Sequence, residues 1–153
     1  MKINKLLIAT HNIGKFTEIK KQLEVLDIKI VSLSDLGIKE DFEETGETFE
    51  ANAMGKAKFY YNLAKIPTIS DDSGFAVDAL NGEPGVHSRT WPGYEASDEE
   101  LLQMLLYKMK DVPDQERTAK AVCVIAFYNG EEEIITRGEE YGTISKKVES
   151  KIE

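Results

Sequence analysis

Cysteine is almost missing from this chain: 153 residues contain one, Cys123. A single thiol excludes an internal disulfide and suits a reducing compartment. The two histidines, His11 and His87, have no metal-ligand spacing to each other or to Cys123, which argues against zinc. Cys123 lies in the apolar run Ala121–Phe127 and reads as a buried structural thiol. Long apolar runs are missing too. Leu6–Ala9 is too short for a signal-peptide core, and no run approaches the ~20 residues of a membrane span. No membrane partner is expected, and the protein is expected in the cytoplasm. An excess of positive charge is also lacking. Nineteen Lys and Arg stand against 28 Asp and Glu, a net −9, so no nucleic-acid partner is expected. There is no Gly-x-Ser-x-Gly elbow for serine-hydrolase chemistry. The phosphate-loop pattern G-x-x-x-x-G-K-[ST] fails twice, at Ala9 and at Phe16.

What is present reads as one domain over residues 1–153, without repeats, low-complexity segments or linkers. Leu6–Thr10 is predicted as a buried strand, followed by a helix over Lys15–Leu26 with Phe16, Ile19, Leu23 and Leu26 at helical spacing. Lys29–Leu33 reads as a strand, Asp35–Glu47 as a loop, and Phe49–Lys65 as a helix stopped by Pro67. Thr68–Asp71 reads as a short strand entering an Asp-Ser-Gly turn, and residues 81–97 as an irregular stretch. Ser97-Asp98-Glu99-Glu100 is a capping box opening a helix to Lys110. Arg117–Tyr128 and Glu131–Thr136 flank Asn129-Gly130, a two-residue hairpin signal. The predicted class is α/β, a mixed β-sheet flanked by helices.

Three stretches could carry chemistry. In "ATHNIGK", Thr10 and Asn12 fall between a strand and a helix, where backbone N–H groups and the helix dipole attract anions, and Lys15 can meet a phosphate. The same residues also make an ordinary turn with an Asn cap. In "EETGETFEANAMGKAK", four glutamates fall within Glu43–Glu50, and Asn52 and Lys56 share a helix face. That suits a carboxylate loop for a hard cation, or an acidic helix start. In "SDDSGFAVDAL", Asp71 and Asp72 follow an apolar strand. One could hold Mg²⁺ while it or its neighbour orients a water, or the segment is a self-capped turn. Trp91 and Tyr94 could stack a base, meet a partner subunit or anchor their own loop.

In this order and spacing, "ATHNIGK", "EETGETFEANAMGKA", "DDSGFAVDALNGEPGV" and "MKDVP…ERTAKAVC" resemble the inosine triphosphate pyrophosphatase family, the noncanonical purine nucleoside triphosphate (dITP/XTP) pyrophosphatases. The resemblance implies an elongated α/β fold that forms a homodimer. It also implies Mg²⁺-dependent hydrolysis of a purine nucleoside triphosphate (ITP, dITP or XTP) to the monophosphate and pyrophosphate. By position, Thr10, His11, Asn12, Ile13, Gly14 and Lys15 would wrap the triphosphate, with Lys56 directed at phosphate and Ser73 a further substrate contact. Glu43 and Asp72 would bind the metal, and Asp72 would be the catalytic carboxylate. The pattern departs from the family at Pro84-Gly85-Val86-His87-Ser88-Arg89-Thr90, where the arginine stands one position late. The family's C-terminal Phe-Gly-Tyr-Asp-Pro and Ser-His-Arg segments have no counterpart before Glu153, so weak discrimination between bases is expected. Two other readings stand beside this one: a Maf-like nucleotide pyrophosphatase, and a truncated nucleotide-binding or dimer-forming relic without turnover.

Overall fold

A computed structural model describes residues 3–148. Eight regular elements follow one another: β1 (Lys5–Ile8), α1 (Ile13–Leu23), β2 (Lys29–Ser32), α2 (Phe49–Ala64), β3 (Thr68–Val77), α3 (Asp98–Lys108), β4 (Thr118–Tyr128) and β5 (Glu133–Thr143). The strands form one sheet in the order β2-β1-β3-β4-β5. β1 lies parallel to β2, from Lys5↔Lys29 to Ile8↔Ser32, and parallel to β3, with Leu7↔Thr68 and Ile8↔Ile69. Only residues 129–132 join β4 to β5, too few for a parallel crossover, so that pair is antiparallel and the sheet is mixed. The α/β class read from the sequence is therefore the observed one.

Helix ends follow their capping chemistry. Asn12 caps α1 through its Oδ1, which accepts the Lys15 N–H at 3.1 Å, and Thr48 caps α2 by accepting from Ala51. The Ser97–Glu100 capping box at α3 forms as the sequence predicts. α2 ends at Ala64 as Lys65 turns left-handed (φ 54°) two residues before Pro67.

Two elements depart from expectation. β3 does not stop at Asp71; Asp72, Ser73 and Gly74 continue the strand to Val77 instead of turning. Those residues are poor strand formers alone, but β3 runs on beside β4 past the end of β1, and pairing overrides propensity. β5 begins at Glu133 and runs to Thr143, because the connection uses four residues, not two. Asn129 Oδ1 accepts from both Glu131 N (3.0 Å) and Glu132 N (2.8 Å), so its side chain closes a longer turn.

The described chain divides into two compact units, one running to Asp72 and adding Val124–Arg137, the other comprising Ser73–Cys123 and the residues from Gly138 on. The core of the first gathers Leu7, Ala9, Val31, Leu33 and Tyr60. Burying each of its large side chains contributes roughly 1.5–3 kcal/mol. The second unit centres on Val77, Leu105, Met109 and Ala119. Cys123 is a free thiol and only half-buried, less enclosed than its apolar run suggests. Among the described residues no helix is long and apolar enough to cross a membrane.

Candidate functional site

The site begins where β1 ends. Ile8 is the last residue of β1 and lies opposite Ile69 of β3; one further bond, Ala9 N to Ile69 O (2.8 Å), closes the pairing. β3 continues, so Ser70, Asp71 and Asp72 extend past the end of their neighbour, beside the turn that leads from β1 into α1. A crevice outside the carboxyl ends of strands is the usual place for a ligand in an open α/β sheet.

Side chains alternate along β3, which sorts its polar residues onto two faces. The Ser70 hydroxyl donates to the Ala53 carbonyl of α2 at 2.5 Å, so Ser70 and, two positions on, Asp72 face α2. Asp71 takes the opposite face, where its Oδ2 lies 3.5 Å from Lys15 Nζ of α1. Lys56, on α2, donates to the Asp71 backbone carbonyl at 2.9 Å and pairs with the Glu44 carboxylate. Two ammonium groups from different helices thus converge on one residue of β3. Asp71 and Asp72 are nearly buried, at 7% and 6% exposure. Buried carboxylates are costly unless cations or hydrogen bonds compensate them, and the two lysines supply positive charge here. Asp72 Oδ2 is enclosed and takes no hydrogen bond, although the residue has other interactions.

The turn from β1 is folded by its own side chains. Asn12 N–H donates to Thr10 Oγ1 at 3.1 Å, and Asn12 caps the helix, leaving the first-turn amides around Ile13 and Gly14 at the positive end of α1. Ile13 is 82% exposed, so it is not placed by packing. Thr10, His11, Ile13 and Phe16, with Ser32 at the end of β2 and Leu33 and Ser34 after it, line a hollow of ≈ 260 Å³.

The acidic loop is fastened onto α2 at several points. Gly46 N–H donates to Asn52 Oδ1 at 2.7 Å, and a Cβ on Gly46 would strike that oxygen, so glycine is required there. Phe42 lies against Gly55, where a Cβ would come within 2.8 Å of its ring. Glu44 is the loop glutamate joined to Lys56; Glu43 beside it is exposed as well. Of the residues expected from sequence, Lys15, Lys56 and Asp72 are assembled around Asp71; Ser73 follows Asp72 along β3, half-buried. The sequence reading passed over Glu44 as a partner of Lys56. The i to i+12 separation carries no helical or strand periodicity that would have revealed it.

The donors are hard oxygens: Asp71, Asp72 and the loop glutamates. Among the described residues, no three His, Cys, Asp or Glu side chains gather closely enough to hold an ion alone. Hard oxygens are the kind of donor that could hold a hard cation such as Mg²⁺, which binds through one or two carboxylates and completes its shell with water and substrate phosphate. Arg89, the displaced arginine, pairs with Asp98 (2.6 Å) and Glu95 (3.7 Å) at the surface. Trp91 Nε1 donates to Glu83 and Tyr94 OH to Glu100, so both aromatics hold their own loop.

The model of the Ham1 family matches residues 6–151. A dITP/XTP pyrophosphatase of Escherichia coli K12 is 39% identical over 148 residues, covering 95% of this chain and 75% of that protein. A solved nucleoside-triphosphatase / dITP/XTP pyrophosphatase from Mycobacterium abscessus is similar with a TM-score of 0.81 at 36% identity, covering 96% of this chain and 77% of that one. A HAM1 protein from Coxiella burnetii gives 0.85 at 33% identity, over 95% and 75% of the two chains. A five-stranded mixed sheet with this order of motifs and a family match over nearly its whole length lead to one conclusion: this chain belongs to the Ham1 family.

Proposed function

We propose that the protein hydrolyses noncanonical purine nucleoside triphosphates, such as dITP and XTP, to the monophosphate and pyrophosphate with Mg²⁺. The observation that carries this reading is the convergence of Lys15 and Lys56 on Asp71, beside buried Asp72, beyond the end of β1. The names of the relatives, dITP/XTP pyrophosphatases, support the same substrate class.

In this reading Thr10–Lys15 receives the triphosphate on first-turn amides and the Lys15 ammonium, and Lys56 meets it from α2. Carboxylates of the loop glutamates and of β3 would hold the metal, with Glu44 joining Glu43 as a candidate because of its place beside Lys56. Bound Mg²⁺ would neutralise phosphate charge in the transition state. Asp72 would accept a proton from the water that attacks the α-phosphorus, in line with departing pyrophosphate. A net charge of −9 is no obstacle, since compensation need only be local. The assay is pyrophosphate release from ITP, XTP, GTP and UTP with and without Mg²⁺. Release that is confined to the purines and needs the metal supports the reading, and none from any of them overturns it.

Lys15→Ala and Lys56→Ala are expected to weaken triphosphate binding about tenfold or more while changing monophosphate binding little. Both ammoniums lie at the phosphate end, and a charge-assisted contact is worth roughly 1.5–3 kcal/mol. Calorimetric titration with ITP and IMP measures this, and equal losses for the two ligands would contradict the placement. We also propose a cytoplasmic homodimer. Light scattering at tens of micromolar should give about twice the chain mass, and a monomer mass counts against it.

A further inference from the structure

The turn after β1 and the acidic loop meet at one point, the Glu40 carbonyl. Tyr60 OH donates to it at 3.0 Å, His11 Nε2 lies 3.0 Å from it, and the two side chains are 3.3 Å apart. Their rings meet edge to face at 6.2 Å and 73°. Tyr60 itself cannot drift, because it is 1% exposed and its ring packs edge to face on Phe59, which in turn touches Phe42. A buried tyrosine on α2 therefore grips both the His11 position of the phosphate turn and the start of the loop that carries Glu43 and Glu44.

We propose that Tyr60 is a positioning residue, whose hydroxyl locks the Thr10–Lys15 turn and the acidic loop in one register so that both address the same metal–triphosphate. The inference rests on the function proposed above and adds a residue that touches neither substrate nor metal in that scheme. Burial, reinforced by the nearby Asp41 carboxylate, pushes the Tyr60 phenol up to about 12, so the hydroxyl keeps its proton at any working pH and remains a donor. Without it the Glu40 carbonyl keeps, among the described residues, only its contact with Nε2 of His11, an exposed side chain. The loop's other fixed points lie on either side of Glu40: Ile38, whose N–H donates to the Leu33 carbonyl at 3.0 Å, before it, and Phe42, Glu44 and Gly46 after it.

Tyr60→Phe removes the hydroxyl and keeps the ring packing. The expected result is a roughly tenfold rise in the Mg²⁺ concentration for half-maximal pyrophosphate release, in line with the 10–100-fold effect of groups that orient metal ligands. It should be accompanied by faster amide hydrogen exchange over residues 39–47 in the ligand-free protein, with kcat at saturating Mg²⁺ reduced less than the Mg²⁺ dependence shifts. A structural role alone would lower the melting temperature without moving the Mg²⁺ midpoint. Unchanged exchange over 39–47 overturns the proposal whether or not the protein is active. Unchanged Mg²⁺ dependence in an active protein overturns it while leaving the proposed function intact. If the parent chain releases no pyrophosphate, the function fails and the exchange measurement alone decides the role of Tyr60.

Discussion

Replacing Asp72 by Asn is expected to lower pyrophosphate release by ~10²–10⁴, the range for loss of a positioned general base, while the melting transition hardly changes. The carboxylate is 6% exposed on β3, on the face that Ser70 turns toward α2. Asparagine has nearly the same volume, so it leaves no cavity, and it removes a buried negative charge whose retention is costly. Stability therefore has little reason to fall. Chemistry has much reason to fall, because the amide can neither accept the proton of an attacking water nor offer the metal an anionic oxygen. The check is kcat at saturating Mg²⁺ and ITP beside a thermal melt on the same preparation. Activity within threefold of the parent would remove Asp72 from the mechanism and shift attention to Asp71.

The candidate site can be read in the sequence to the extent that its contacts are local. Asn12 and Ser97 announce helix starts because an Ncap side chain bonds an amide three residues away, within reach of any sequence window. The mixed α/β sheet followed from apolar runs separated by helical periodicity. What could not be read was settled by distant partners. Asp72, Ser73 and Gly74 look like a turn and become strand because β3 runs on beside β4, past the end of β1. Glu44 looks no different from Glu43 until the loop is fastened to α2 by Asn52, Gly55 and Lys56. Tyr60 lies inside α2 with no local signal of a role, yet its hydroxyl serves a carbonyl twenty residues upstream.

Arg117 is the sharpest case of a role written in distant partners, and its loss is expected to be the largest stability change in the molecule. It is 3% exposed. Its guanidinium donates to four backbone carbonyls: Nε to Ile144 (2.7 Å), Nη1 to Met109 (2.6 Å) and Val112 (3.1 Å), and Nη2 to Ser145 (3.0 Å). Its own carbonyl accepts from Ile144 N–H at 2.8 Å. One side chain thus closes the end of α3, where the last carbonyls of a helix have no internal partner, and ties it to the chain leaving β5. Truncation to Ala would strip the guanidinium from all four acceptors, leaving the buried Met109 carbonyl only the Val112 N–H (3.1 Å) and the part-buried Val112, Ile144 and Ser145 carbonyls without this donor. A buried group stripped of its partner costs about 1–3 kcal/mol, so a loss of about 3 kcal/mol in all is expected. Lysine would not rescue it: three donors on one nitrogen cannot span carbonyls on both segments as the planar fork does. Urea unfolding of Arg117→Ala and Arg117→Lys, followed by circular dichroism, measures it. A Lys variant within ~0.5 kcal/mol of the parent would show that charge alone, not the four-way geometry, is what this position requires.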